Sequence, residues 1–305
     1  MPLLLTILLD DILPIFAVAS VGFVLARRLQ VDVRSLSRIT FNALAPCLVF
    51  TLLVTSQVGA EEFGRVVLYT LLYVAAAGVV ARLAAMPFRL ERPDLVAFLI
   101  VVMFSNAGNY GLSVVLFAFG REALARAAIY FVTSALVMYT FGTFLASSGR
   151  LGGREALRGL VRVPAVWGLV AAVLVIWTGV ELPKAVSRPV GLLGDAAIPG
   201  MLLVLGMQFE QRARLERPGL VALASALVLV ASPLVGFLLA WAVGLTGVTR
   251  QAVLVQSAMP SAVITTIVAL EFDVAPAFVA SVVVVTTLAS PLTLSLLIAL
   301  LQSGY

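Results

Sequence analysis

Histidine is absent from the chain, cysteine occurs once, and charged residues make up only 11% of it. Each shortage closes off a class of function. Without histidine there is no commonest zinc ligand and no commonest general base. That argues against an intramembrane metalloprotease and against a rhomboid-style serine–histidine protease. One cysteine, Cys47, inside an apolar block, allows no disulfide framework. Soluble domains carry about 25% charged residues, so the low charge argues against a water-exposed surface. The first residues have no basic stretch, and Asp10 and Asp11 follow the first apolar run. A cleavable signal is therefore not expected.

What is abundant is apolar. Hydrophobic residues make up 62% of the 305 positions, against about 45–50% in soluble domains. They fall in continuous blocks of about 20, the length of a helix crossing about 30 Å of hydrocarbon. Continuous blocks also argue against a barrel, whose strands alternate over about ten residues. The partners implied are the lipid bilayer and a small solute. The net charge of +5 is spread through short loops, so nucleic acid is not expected.

The pattern predicts an all-α membrane protein with ten transmembrane helices. They fall near Ile12–Leu29, Leu36–Gln57, Arg65–Ala85, Asp94–Phe119, Glu122–Ala146, Leu157–Thr178, Ala185–Phe209, Pro218–Val243, Thr249–Leu270 and Ala275–Leu301. Fourteen of the 20 lysines and arginines lie on one side, in the loops and helix ends after the first, third, fifth and seventh helices. The positive-inside rule makes that side cytoplasmic and places both termini outside. Residues 147–156 form the longest polar connection and are expected to be a cytoplasmic loop between a first repeat, 1–146, and a second, 157–305.

Five helices per half is an odd number, so the second half must insert inverted. The second expected helix has Leu36-Ser37-Arg38, then Asn42 and Pro46. The seventh has Val186-Ser187-Arg188, then Asp195 and Pro199. In both, the polar residue and the proline are four apart. The fourth and ninth helices are each interrupted, by Ser105-Asn106-Ala107-Gly108-Asn109-Tyr110-Gly111 and by Gln256-Ser257-Ala258-Met259-Pro260-Ser261. Glycine and asparagine disfavour helix, and Pro260 lacks an amide hydrogen. Inside a bilayer such a break is tolerated only against protein or a water-filled cavity. Transporters use inverted repeats with broken helices to bind substrate near the midplane. Helix N-termini meeting there offer amide hydrogens and positive dipole to a carboxylate.

Asn106 is the foremost candidate ligand, because its amide donates and accepts within the break. Asn109, Tyr110 and Gly111 follow, although only one face of the break can line a cavity. Ser105, Gly108, Met259 and Pro260 are expected to shape the crossover, and Met259 and Pro260 also count among the substrate-binding candidates. Asp195 is the acid placed deep in an expected span, so a role in proton or Na+ coupling is weighed against a structural hydrogen bond. Asn42, its counterpart, is a weaker coupling candidate. Arg38 is read as a topology signal. A membrane aspartyl protease needs two paired aspartates, and only Asp195 is deep.

These runs resemble the auxin efflux carrier family, with its plant PIN-type carriers, in the bile acid/sodium symporter-like superfamily. Asn106 and Gly111 match that family's asparagine–glycine crossover. Ser113 stands where a proline is usual, and Ser105 where plant members have another. Ala258-Met259-Pro260, Ala269, Glu271-Phe272, Pro276, Asp195-Ala196 and Met138-Tyr139-Thr140 follow the plant pattern. Ser134 falls where plant carriers have a glutamine near the substrate, and Val49 where they have a serine. The acid–base pair of their third helix is absent from Val66–Ala81. The resemblance implies a carrier of a small organic anion, auxin-like or dicarboxylate, in a bacterial inner membrane. It works by moving one bundle against another, is a homodimer, needs no cofactor beyond Na+ or proton coupling, and is not an enzyme. An anion channel or a non-transporting receptor scaffold is the alternative.

Overall fold

The computed structural model describes residues 2–147, 163–209 and 216–303. The described residues are helical apart from short connections and one isolated bridge. Helices α1 (Leu3–Leu29), α2 (Val33–Thr55) and α3 (Ala60–Phe88) are followed by the short α4 (Arg92–Met103). Next come α5 (Ala107–Ala146), α6 (Pro164–Thr178), α7 (Lys184–Gln208) and α8 (Pro218–Ala242). Two short helices, α9 (Gly247–Ser257) and α10 (Ile264–Phe272), precede α11 (Pro276–Gln302).

This corrects the expected ten transmembrane helices in two inverted five-helix repeats. Among the described residues, seven helices are long and apolar enough to cross a membrane. The apolar blocks 94–119 and 249–270 are each split by their breaks. That leaves α4 with 12 residues, α9 with 11 and α10 with 9. At about 1.5 Å per residue, none spans about 30 Å of hydrocarbon. The boundary expected between 119 and 122 is present as a reversal at Gly120, whose φ of 78° parts two helical stretches within α5. They fold back on each other: a Cβ on Gly108 would sit 2.8 Å from the Phe131 ring, and Gln256 reaches the carbonyls of both Ala107 and Ala127. The described part of the sixth block is a 15-residue helix. The connection at 147–156 lies, beyond Ser147, outside the described residues.

The helices do not pack as a first half against a second. One group is α1, α2, α6 and α7; the other is α3, α4, α5, α8, α9, α10 and α11. Each mixes residues from both sides of the mid-chain connection. In the first group α1 and α7 cross at near backbone contact. A Cβ on Gly206 would sit 1.7 Å from the Ala19 carbonyl oxygen, and one on Gly22 would sit 2.1 Å from that of Leu203. Small residues permit this approach, as they do at close helix crossings in membranes generally. The second group is tied at one end by a shared carboxylate. Arg126 donates to Glu62 through Nε at 2.8 Å and Nη2 at 3.2 Å, and the Thr249 hydroxyl donates to the same group. That ion pair joins the starts of α3 and α9 to the middle of α5.

Candidate functional site

Breaking two helices inside an apolar core frees backbone groups that need partners. Here the two breaks satisfy each other. The Asn106 amide donates to the Pro260 carbonyl at 2.7 Å, and the Ala262 amide donates to the Phe104 carbonyl at 2.8 Å. Ser105 and Ser261 therefore face each other as a single antiparallel bridge. The Ser261 amide donates to Thr286 Oγ1 of α11 at 3.2 Å. At the end of α9, Tyr73 Oη donates to the Ser257 carbonyl at 2.7 Å. Gln256 Nε2 donates to the carbonyls of Ala107 and Ala127, at 3.2 and 3.3 Å. Thus α9 is pinned both to the restart of the broken helix and to the middle of α5.

Tyr73, Tyr69 and Tyr130 form a buried aromatic cluster behind the crossover, with ring centroids 6.2–6.3 Å apart. Tyr73→Phe removes the donor to the Ser257 carbonyl and leaves that group buried and unpaired. The expected cost is about 1–2 kcal/mol, read as a lower thermal midpoint of the purified protein. Tyr69→Phe is expected to cost less. Its bonds to Ser257 Oγ and Gly236 O are 3.2 and 3.3 Å long, and Ser257 Oγ keeps its own bond to the Leu254 carbonyl.

Beside the crossover lies a cavity of about 280 Å³ at the seam between the two helix groups. From the second group it takes Ser105, Asn106, Gly108, Asn109, Ser134 and the 262–264 segment. From the first it takes Arg38, Phe41, Asn42, Pro164 and Gln208. The N-terminal ends of α5 and α10 both reach it, through Ala107 and Ile264. Three of the five π-helical turns among the described residues also contribute: Thr40–Leu44, Ala107–Gly111 and Met138–Gly142. Such turns recur at functional sites because the extra residue changes which side chains a helix presents.

The cavity brings together Asn106, Asn109, Ser134, Ser105, Gly108 and Asn42. Asn106 is 5% exposed, and its Nδ2 has no partner among the described residues; Asn109 Oδ1 is likewise unpaired there. Asn42 Nδ2 donates to the Arg38 carbonyl at 2.8 Å. Tyr110, Gly111, Met259 and Pro260 lie outside the lining. Tyr110 is buried edge-on to Phe16, and its Oη accepts from Ser290 Oγ at 3.4 Å. Gly111 leaves room for Gln256, since a Cβ there would meet Oε1 at 2.1 Å. Pro260 lends its carbonyl to Asn106, and Met259 is fully buried.

Asp195 is elsewhere. Its carboxylate accepts from Arg121 Nη2 at 2.9 Å, and its side chain is 61% exposed. The pair borders a second cavity of about 230 Å³ at the same seam, lined also by Thr51, Leu116 and Leu202. Sequence reasoning did not single out Gln256, Tyr73 or Arg38 for these roles. Gln256 had a signal, an amide side chain at the edge of a break in an apolar block. Tyr69 and Tyr73, four apart on one helix face, had only the ordinary signature of packing. Among the described residues, no cluster of three or more His, Cys, Asp or Glu side chains is placed to hold a metal ion.

A multi-span helical membrane protein whose broken helices border an internal cavity is built as a membrane transporter, and sequence comparison agrees. The chain belongs to the Membrane transport protein family, whose model matches residues 7–298. An uncharacterized transporter of Methanothermobacter thermautotrophicus is 25% identical over 267 residues, covering 87% of this chain and 88% of that protein. Another, from Methanocaldococcus jannaschii, is 25% identical over 213 residues, 68% of this chain and 69% of the relative. Auxin efflux carrier component 1 of Arabidopsis thaliana is 27% identical over 144 residues, 45% of this chain and 23% of the plant protein.

Proposed function

We propose that the protein carries a small organic anion across the membrane, by alternating access around the crossover. The observation that carries this reading is the Asn106 amide. It is buried, has no partner at Nδ2 and borders a cavity that two helix N-termini also reach. A buried donor left unmade costs about 1–3 kcal/mol, which a bound carboxylate oxygen offsets. The helix ends add partial positive charge. Ser134 and Asn109 supply further polar contacts, and Ser105 and Gly108 shape the wall.

Two cavities on one seam support alternating access. Along α2, Arg38 and Asn42 border the larger and Thr51 the smaller, about 14–20 Å apart along the helix axis. Sliding the groups past each other exchanges which end is open. The arginine distribution supports a cytoplasmic position for the Arg38 end. A thermal-shift screen of small mono- and dicarboxylates, including benzoate and succinate, with and without Na+, tests the ligand class. A ligand that binds only the folded state raises its apparent stability. No stabilisation by any carboxylate would sink the proposal. In proteoliposomes, saturable counterflow supports a carrier, and ohmic current a channel.

Asp195 is proposed as the coupling acid. Asp195→Asn is expected to remove the pH or Na+ dependence of transport. The Arg121 pair is largely exposed, so the stability change should stay within about 1 kcal/mol. Unchanged dependence would leave Asp195 only its partnership with Arg121.

A further inference from the structure

We propose that Arg38 supplies the positive charge that selects an anion in the crossover cavity. The proposal rests on the carboxylate reading above and adds a specificity-determining residue to it. Among the described residues lining the cavity, Arg38 is the charged one; the rest are apolar side chains, hydroxyls and amides. No carboxylate in that lining balances it. Arg65, Arg121, Arg126 and Arg217 each hold a Glu or Asp, but no ion pair among the described residues includes Arg38.

The chain also fixes where Arg38 stands. Asp32 caps the start of α2, accepting from the backbone amides of Arg34 and Ser35 at 3.2 and 3.0 Å. The Ser35 hydroxyl and those amides hold the Asp32 carboxyl below its ordinary range, so the cap stays charged at neutral pH. One turn on, Asn42 Nδ2 grips the Arg38 carbonyl. The π turn Thr40–Leu44 follows, and Ser37, Arg38, Phe41 and Asn42 all border the cavity. Across it stands the unpaired Asn106 donor. A guanidinium offers paired N–H groups matched to a carboxylate, and a neutral amide gives it no charge to meet.

The plain alternative is that Arg38 only orients the chain in the membrane. Arg34 separates the two roles, because it carries the same charge one turn earlier on α2 and does not border the cavity.

The test titrates purified wild-type protein with benzoate and succinate, and with their neutral amides benzamide and succinamide, by calorimetry. Arg38→Gln should weaken carboxylate binding about tenfold or more and leave amide binding unchanged. Arg38→Lys should recover part of the loss, and Arg34→Gln should bind as wild type does. Arg38→Met keeps the aliphatic stem and is read in the same way where the glutamine variant does not fold. Wild-type affinity in Arg38→Gln or Arg38→Met, with binding lost in Asn106→Ala, overturns the role of Arg38 and leaves the anion site standing. Equal loss in Arg34→Gln also overturns it. A wild-type protein that binds neither carboxylate overturns the anion site and this proposal together.

Discussion

Asn106→Ala is expected to weaken carboxylate binding and transport sharply while the protein folds as before. The two halves of that result come from different atoms of one residue. The backbone of Asn106 holds the crossover: its amide donates to Pro260, and its carbonyl accepts from Gly111 at 2.9 Å. Alanine keeps both bonds. The side-chain Nδ2 has no partner among the described residues, so removing it breaks no bond among them. It also relieves a buried donor whose unpaired state costs about 1–3 kcal/mol. The thermal midpoint without ligand should therefore stay level or rise. Binding should fall by about one to two orders of magnitude, the worth of a hydrogen bond to a charged group. Calorimetry, and uptake of labelled benzoate or succinate into proteoliposomes, read the loss. Retained affinity and transport would end the anion-site proposal. A parallel loss of folding would give Asn106 a structural role instead.

Gly206→Val is expected to have the largest effect on the fold. A Cβ at Gly206 falls 1.7 Å from the Ala19 carbonyl oxygen, 2.5 Å from its carbon and 2.9 Å from its Cα. All three are backbone atoms of the facing helix, so no rotamer change can relieve the clash. The helices must separate by more than an ångström, which also opens the reciprocal contact of Gly22 with Leu203. Overpacking typically costs about 1–3 kcal/mol, and a backbone-on-backbone clash belongs at or above the top of that range. The measurement is the yield of monodisperse protein and its thermal midpoint in detergent. A midpoint within a few degrees of wild type would show that α1 and α7 can part without consequence.

The breaks were legible in the sequence because glycine, asparagine and proline oppose helix wherever they cluster in an apolar block. Asn106 and Pro260 announced the crossover in that way. The number of spans was not legible. A block such as 94–119 is apolar on both sides of Phe104–Asn106, and composition does not say that the pieces are too short to cross. The boundary near Gly120 was legible, because glycine beside charged residues interrupts the apolar pattern, and Gly120 does leave helical geometry there. Arg38 read as a topology signal because it is one of the arginines clustered at the loops and helix ends of one side, and a count by side does not say what each of them borders. The π turn that follows it at Thr40–Leu44 carries no composition signal of its own. Asp195 read as a deep acid, but its partner Arg121 is 74 positions away, and no local spacing links them.

Two main-chain bonds close the crossover, from Asn106 to Pro260 and from Ala262 to Phe104. Any residue but proline can donate the first or the second. The side chains around the cavity can therefore drift without unbuilding the frame that holds them. A lineage built on this frame can exchange one cargo for another in single steps, each intermediate still folded. Such a frame fits relatives that share only about a quarter of their aligned residues with this chain.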